Sequence, residues 1–337
     1  MQTVLDIVTG PGFQQSDVPD LTGMTVLVTG GTGGLGFEVA KTCALHNARV
    51  LLLSRKTEHG DEAIRQIKEA ASGTVDVEFI KCDLGSLKSV KEVADKIRNE
   101  EKRLNILIAG AGVGVNKFDV SADGIDRHFA VNYLGHYLLI NRLMPLIRRT
   151  DKDLSQPAPR IVSISSELHR AASSSIKFAS PAEITEEAKD YSANNLYART
   201  KLALILFTKF GLVERVIQPT KDARILALTT HPGAVATGQQ EQFKEAYGQV
   251  LGSVMKAVTV PFFRTPEQGS LSTLWAATSD KVDKSMQGYY FSDPETPGEE
   301  TEQARDKQLG QNLWDVSEQL VKEKLGPDGL LPWDKEM

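Results

Sequence analysis

The sequence predicts an α/β fold, a single domain built on a doubly wound, mostly parallel sheet with helices on both faces. Two observations carry that prediction. Short apolar runs rich in Val, Ile and Leu alternate with longer stretches in which charged residues recur at helical spacing; this is the pattern of parallel strands covered on both sides by their connecting helices. Across the 337 residues no segment repeats and no low-complexity linker intervenes, which favours one domain although the length permits two.

The elements follow in order. Residues 1–20 form an arm, with turn-forming residues concentrated over 10–20. The domain proper spans 21–325. MTVLVTG (24–30) reads as a short buried strand and GFEVAKTCALHN (36–47) as the helix after it. ARVLLLSR (48–55), VDVEFIKCDL (75–84) and LNILIAGAG (104–112) are the next strands, separated by the charged helices 58–71 and 86–100. A long helix over 124–149 leads to the strand RIVSISS (160–166). A polar segment, 167–194, precedes a helix holding YARTK (197–201) and LALILFTKFGLVERV (202–216), which feeds the strand ARILALTTHPG (223–233). Residues 234–265 form a substrate loop or lid without a clear strand, followed by a helix over 266–279 and the short strand GYYFSD (288–293). Near the end, Leu309, Leu313, Val316, Leu320 and Leu325 make one apolar helical stripe, which reads as core packing or a subunit contact. Residues 326–337 are a tail.

Composition narrows the class of partner. With 41% hydrophobic, 25% charged and 7% aromatic residues, the chain has the make-up of a soluble globular protein. A net charge of -5 argues against a nucleic acid or an anionic membrane as the main partner, since both demand a basic face. Two cysteines, Cys43 and Cys82, are too few for a disulfide framework and point to a reducing, cytoplasmic setting. No apolar run reaches the roughly 18 residues of a membrane span, and the first residues lack the basic and apolar regions of a signal peptide. Neither HExxH nor a Cys/His cluster is present, so no metal is expected.

LVTGGTGGLGFEVA places glycines where a strand becomes a helix. Glycine lets the backbone turn tightly, admits a pyrophosphate, and leaves helix N-terminal amides free to bind it. Gly31, Gly33 and Gly36 fit GxGxxG, while Thr29 opens a TGxxxGxG spacing through Gly30, Gly34 and Gly36. A tight connection alone would also need glycines, but the flanking strand and helix favour the dinucleotide-binding Rossmann arrangement. No GK[ST] closes the run, which excludes a P-loop. At the end of the second strand stand Ser54, Arg55 and Lys56 rather than an acidic residue. A cation there pairs with a 2'-phosphate, so NADP(H) is expected over NAD(H); the plainer reading of Arg55 is a solvated strand end.

Tyr197 and Lys201 lie four apart on a helix and are therefore neighbours. They follow a strand end, where open α/β sheets bind ligands. With the TGxxxGxG turn, CDL after the third strand, HFAVNYLGHYLL, RIVSISS, YARTK and HPGAVAT, the chain resembles the short-chain dehydrogenase/reductase family from about residue 21 to 320. SSELHR, VPFFRTPEQG and GYYFSD make it similar to the retinol dehydrogenase and WW-domain oxidoreductase relatives.

That resemblance implies roles. Tyr197 is the proton donor to a carbonyl oxygen, or acceptor in the oxidation direction, with its phenol favoured as phenolate by the Lys201 ammonium. Lys201 also holds the nicotinamide ribose. Ser166, rather than Ser165, donates a hydrogen bond to the developing oxyanion. Asn132 supports a water relay to the lysine, or is simply an amide satisfied by backbone. The cofactor seat comprises Gly30, Thr32, Gly33, Gly34, Leu35, Gly36, Ser54, Arg55 and Lys56. It continues through Asp83, Leu84, Ala109, Gly110, Ala111, Tyr197, Lys201, Pro232, Gly233, Val235 and Thr237. Asp83 has a rival reading as a helix N-cap. Two departures stand out: Ala109, Gly110, Ala111 and Gly112 replace the family's NNAG, and Thr32 replaces a basic residue of some NADP-dependent members. His169 and His231 are either substrate contacts or structural histidines.

The expectation is an NADPH-dependent reductase, or reverse alcohol dehydrogenase, acting on a small-molecule ketone or aldehyde that is medium-sized and fairly apolar; a specialised metabolite fits as well as a retinoid. Two alternatives stay open: a dehydratase, epimerase or cyclase on the same fold, and a cofactor-binding regulator without turnover. Family analogy also implies a homodimer paired through the helices of HFAVNYLGHYLL and YARTKLALILF.

Overall fold

The computed structural model describes residues 12–187, 191–235 and 264–335. Eight strands form one sheet in the order β3-β2-β1-β4-β5-β6-β7-β8. They are β1 (Thr25–Thr29), β2 (Arg49–Ser54), β3 (Asp76–Lys81), β4 (Ile106–Ala109), β5 (Arg160–Ile164), β6 (Leu226–Thr230), β7 (Tyr290–Asp293) and β8 (Thr296–Pro297). All neighbours run parallel except the last pair, β7 and β8.

The central strands are apolar throughout because both of their faces are buried. Alternate residues of β1 enter opposite cores: Leu27 packs with Leu107, Ile161 and Tyr133, while Val26 and Val28 pack with Leu52, Val39 and Trp275. β3 is one of the two edge strands, and Asp76 and Lys81 at its ends are exposed, as charged residues on an edge should be.

Helices α1 (Gly34–Leu45), α2 (Thr57–Ala70), α3 (Leu87–Glu100), α4 (Gly135–Lys152), α5 (Ala193–Leu206), α6 (Pro266–Thr278) and α7 (Lys307–Leu325) cover the sheet. The expected long helix before β5 is broken at its start: a turn at Arg127–Phe129 and a π-helical turn at Ala130–Leu134 lead into α4. α5 runs on as a π-helix, Phe207–Ile217. Strand order reverses between β1 and β4, and the carboxyl ends of the strands at such a reversal are where open α/β sheets take ligands.

The face through which two copies were expected to pair is covered within the chain. Every residue of α4 from Gly135 to Arg148 and of α5 from Leu196 to Leu206 is buried. The apolar stripe of α7 supplies part of the cover. Trp314 packs 5.6 Å from the Tyr137 ring, and Trp333, in the segment expected to be a tail, lies 5.0 Å from Trp314 and 5.5 Å from Tyr137. The Arg148 guanidinium donates to the Trp333 carbonyl at 3.0 Å, and Asn141 exchanges two hydrogen bonds with the Leu331 main chain. Over these two stretches no residue is left exposed to a second copy, whereas Lys152 and Asn194 at the helix ends are exposed.

Candidate active site

The glycine turn lies between β1 and α1. Gly30 has φ +72°, and a Cβ on it would sit 3.0 Å from the Ala111 Cα; a Cβ on Gly36 would meet the Gly30 carbonyl at 2.4 Å. Larger residues at these two positions would push the turn off both α1 and the β4 loop. Nothing lies within 4 Å of a Cβ built on Gly33, so the turn is open there. Gly33 caps α1 without a side-chain hydrogen bond, and the first turn holds no acidic residue. The leading amides are thus available to an anion. Gly34 (φ +54°) completes the bend, and Thr32 and Leu35 are half-buried beside it. This cradle fits the pyrophosphate of a dinucleotide.

At the end of β2, Ser54 is half-buried while Arg55 and Lys56 are exposed. After β3 the Asp83 carboxylate accepts from the Gly85 amide at 2.9 Å, and Leu84 is buried. The N-cap of α3 is Ser86, whose side chain accepts from the Ser89 amide. The capping role therefore falls to Ser86 rather than Asp83.

The Ala109 to Gly112 turn, where the family's amides are missing, is held from outside. The Thr29 hydroxyl accepts from the Gly110 amide at 2.9 Å and the Ala111 amide at 3.0 Å. A Cβ on Gly112 would come within 3.1 Å of Asn132 Oδ1. That oxygen accepts from the Val113 amide at 2.7 Å, while Asn132 Nδ2 donates to the Val113 carbonyl at 3.0 Å and to Thr200 Oγ1 at 3.1 Å. The Asn132 side chain is satisfied largely by backbone. Its main-chain carbonyl accepts from His136 Nδ1 at 3.0 Å.

β5 and α5 bring the expected catalytic residues together. Ser165 is turned away: its hydroxyl donates to the Lys201 carbonyl at 2.7 Å. Ser166 accepts from the Leu168 amide at 3.2 Å, and its side chain lies near enough to the Tyr197 phenol to favour the phenolate. Lys201 Nζ lies 5.5 Å from the Tyr197 ring centre and donates to the Ile164 carbonyl at 2.8 Å. Burial pushes the Tyr197 phenol up to about 12, opposed by the nearby Ser166 side chain, and brings Lys201 down to about 8. The expected lowering of the phenol by the lysine is overridden here, because removing both groups from water disfavours phenolate and ammonium alike.

His169 Nδ1 donates to the Ser166 carbonyl at 2.8 Å, and His231 Nδ1 accepts from the Glu167 amide at 3.3 Å. The Tyr290 hydroxyl donates to Glu167 at 2.8 Å. Both histidines thus brace the segment that follows Ser166. Pro232 and Gly233 continue from β6, with the Arg264 side chain folded over Gly233 and Val235 bridged to Arg264. Thr237 and most of the expected lid, 234–265, lie outside the described residues. Thr29 and His136 were missed as site residues by the sequence reading. The signals were that Thr29 opens the TGxxxGxG spacing and that His136 falls one helical turn after Asn132.

Fold and site together define an α/β dinucleotide-binding protein with a half-buried serine after β5 and a buried tyrosine and lysine on α5. A family model described as short chain dehydrogenase matches residues 24–178. Retinol dehydrogenase 11 of Mus musculus is 34% identical over 302 residues, covering 89% of this chain and 87% of its own. The WW domain-containing oxidoreductase of Gallus gallus is 31% identical over 314 residues, covering 91% of this chain and 70% of its own. The solved L-sorbose reductase of Gluconobacter frateurii, complexed with NADPH and L-sorbose, shares the fold at TM-score 0.60 and 20% identity, over 82% of this chain and 97% of its own. The chain belongs to the short-chain dehydrogenase/reductase family, in its retinol dehydrogenase-like subgroup. It is accordingly an alcohol/carbonyl oxidoreductase with a nicotinamide cofactor.

Proposed function

We propose that the protein reduces a ketone or aldehyde on a medium-sized, fairly apolar molecule, or oxidises the corresponding alcohol, with NADP(H). The observation that carries this reading is the Tyr197 phenol, buried beside Ser166 and one helical turn from Lys201, whose Nζ lies 5.5 Å from its ring centre. The nicotinamide, when bound, supplies or accepts the hydride. Tyr197 delivers the proton to the carbonyl oxygen, or withdraws it from the alcohol. Ser166, whose oxygen accepts from the Leu168 amide, is placed to donate its own proton to the developing oxyanion. Lys201, held by the Ile164 carbonyl, keeps a cation beside the phenol when protonated and is placed to meet the ribose.

Arg55 and Lys56 support the phosphorylated cofactor: both are exposed, and neither forms an ion pair with another described residue. A relative named for retinol supports an apolar substrate. No helix among the described residues is long and apolar enough to cross a membrane. The reading extends to a cytoplasmic setting on the strength of two free, buried cysteines, Cys43 and Cys82.

The test follows NADPH absorbance against a panel of ketones, quinones and aldehydes, with NADH and Tyr197→Phe alongside. Tyr197→Phe is expected to lower kcat by about 10²–10⁴-fold, the usual worth of a general acid, while NADPH still binds. A Tyr197→Phe protein that turns over normally would sink the assignment. A product equal in mass to its substrate, rather than two hydrogens heavier, would favour an isomerase or related reaction on this fold.

A further inference from the structure

A second role at this site emerges from counting protons around Thr29. A hydroxyl has one proton to donate and two lone pairs. Gly110 and Ala111 direct their amides at Thr29 Oγ1, 2.9 and 3.0 Å away, and so occupy both lone pairs. The proton must then go to an acceptor. Two are near, His136 Nε2 at 2.8 Å and the Ile108 carbonyl at 3.2 Å.

The state of His136 decides between them. Its Nδ1 lies 3.0 Å from the Asn132 carbonyl, an atom that can only accept, so Nδ1 carries the ring proton. Nε2 is then a bare lone pair and receives the Thr29 proton over the shorter distance. The ring is wholly buried. Burial, aided by the nearby Lys201 charge, brings its pKa down to about 4, against the weaker pull of the Asn132 bond, which keeps it neutral.

We infer that His136 is a positioning residue for the cofactor seat: by accepting the Thr29 proton it commits both Thr29 lone pairs to the Gly110 and Ala111 amides. The turn needs such help. Ala109, Gly110, Ala111 and Gly112 have no side chain able to make a hydrogen bond of its own. The same ring reaches the catalytic helix, because Asn132 Nδ2 donates to Thr200 Oγ1, which donates to the Tyr197 carbonyl at 2.7 Å. The cofactor turn is thus linked to the backbone of the proton donor through Asn132, whose main-chain carbonyl meets His136 and whose side chain meets Thr200.

This inference rests on the cofactor reading above, and its test separates the two. In native protein with ¹⁵N-labelled histidine, the His136 resonances should show a protonated Nδ1 and a bare Nε2, unchanged from pH 8 to pH 5. A protonated Nε2 overturns the inference without any cofactor present. Dissociation constants for NADPH, from its fluorescence, are then compared for native protein, Thr29→Val, His136→Phe and the double variant. Each single change is expected to weaken binding about tenfold, the worth of one or two hydrogen bonds, and the double change no more than either alone.

His136→Gln puts an acceptor oxygen where Nε2 stands and should bind within about twofold of native, whereas His136→Asn, which reaches only the Nδ1 position, should not. A merely structural histidine would not distinguish these two amides. Additive single effects, or equal behaviour of Gln and Asn, overturn the role of His136 alone. Failure of the native chain to bind NADP(H) overturns the cofactor reading and this inference with it.

Discussion

Arg55 and Lys56 stand exposed at the carboxyl end of β2, where a dinucleotide's adenosine ribose would lie in this fold. Replacing both with Ala should raise KM for NADPH on the order of 30-fold, the loss of two charge-assisted contacts, and leave KM for NADH within about twofold; initial rates with the two cofactors measure it. Equal losses with both cofactors would mean that the pair shapes the loop rather than reads the phosphate. Residue identities of this kind were legible in the sequence because spacing along β2 and α5 places them. The choice of Ser166 over Ser165 came from the family pattern, and its physical reason appears where β5 meets α5: the Ser165 hydroxyl is taken by the Lys201 carbonyl. The missing amides at positions 109–112 looked like a loss, and the compensation comes from Thr29 and His136, which stand 80 and more residues away or on another element.

At the scale of elements, the strands and long helices could be read from periodicity, and the π-turn at Ala130–Leu134 could not. It depends on tertiary contacts: Asn132 is tied to Val113, and a Cβ at Gly135 would lie 2.5 Å from the Leu84 carbonyl. α7 was correctly read as amphipathic, but its stripe alone left core packing and subunit contact as equal explanations. In the structure Trp314 is buried over Gly211, Tyr137 and Phe207. Trp314→Ala should therefore cost about 3–4 kcal/mol, the range for emptying a buried aromatic site, read as a shift in the urea midpoint at constant slope. A change below about 1 kcal/mol would show that α7 covers the helices without contributing to their stability.

For the whole molecule, pH reports on the buried histidines. Burial lowers His136 and His231 to about 4 each. The unfolded chain takes up protons below about 6.5 that the folded chain refuses until about 4, so stability is complete above 6.5 and falls between those values. Each ring contributes up to about 3 kcal/mol to that fall. Urea midpoints at pH 7, 5.5 and 4.5 check the sign, and His136→Phe should flatten the slope. Asp95 and Asp126, held below the usual carboxylate range by arginine partners or a histidine hydrogen bond although burial opposes them, add losses only at more acid pH, outside this window.

The sequence by itself determined the sheet class, the glycine turn and the Tyr197/Lys201 pair, because each is a local pattern whose physics acts within one strand–turn–helix unit, and the family, because several such patterns follow one another in order along the chain. Tertiary structure alone decided that α7 and Trp333 cover α4 and α5, that burial rather than the neighbouring lysine sets the Tyr197 phenol, and that His136 completes the hydrogen bonds of Thr29. Burial and hydrogen-bond partnership belong to pairs of distant segments, and no spacing along one segment encodes which lone pair another will fill.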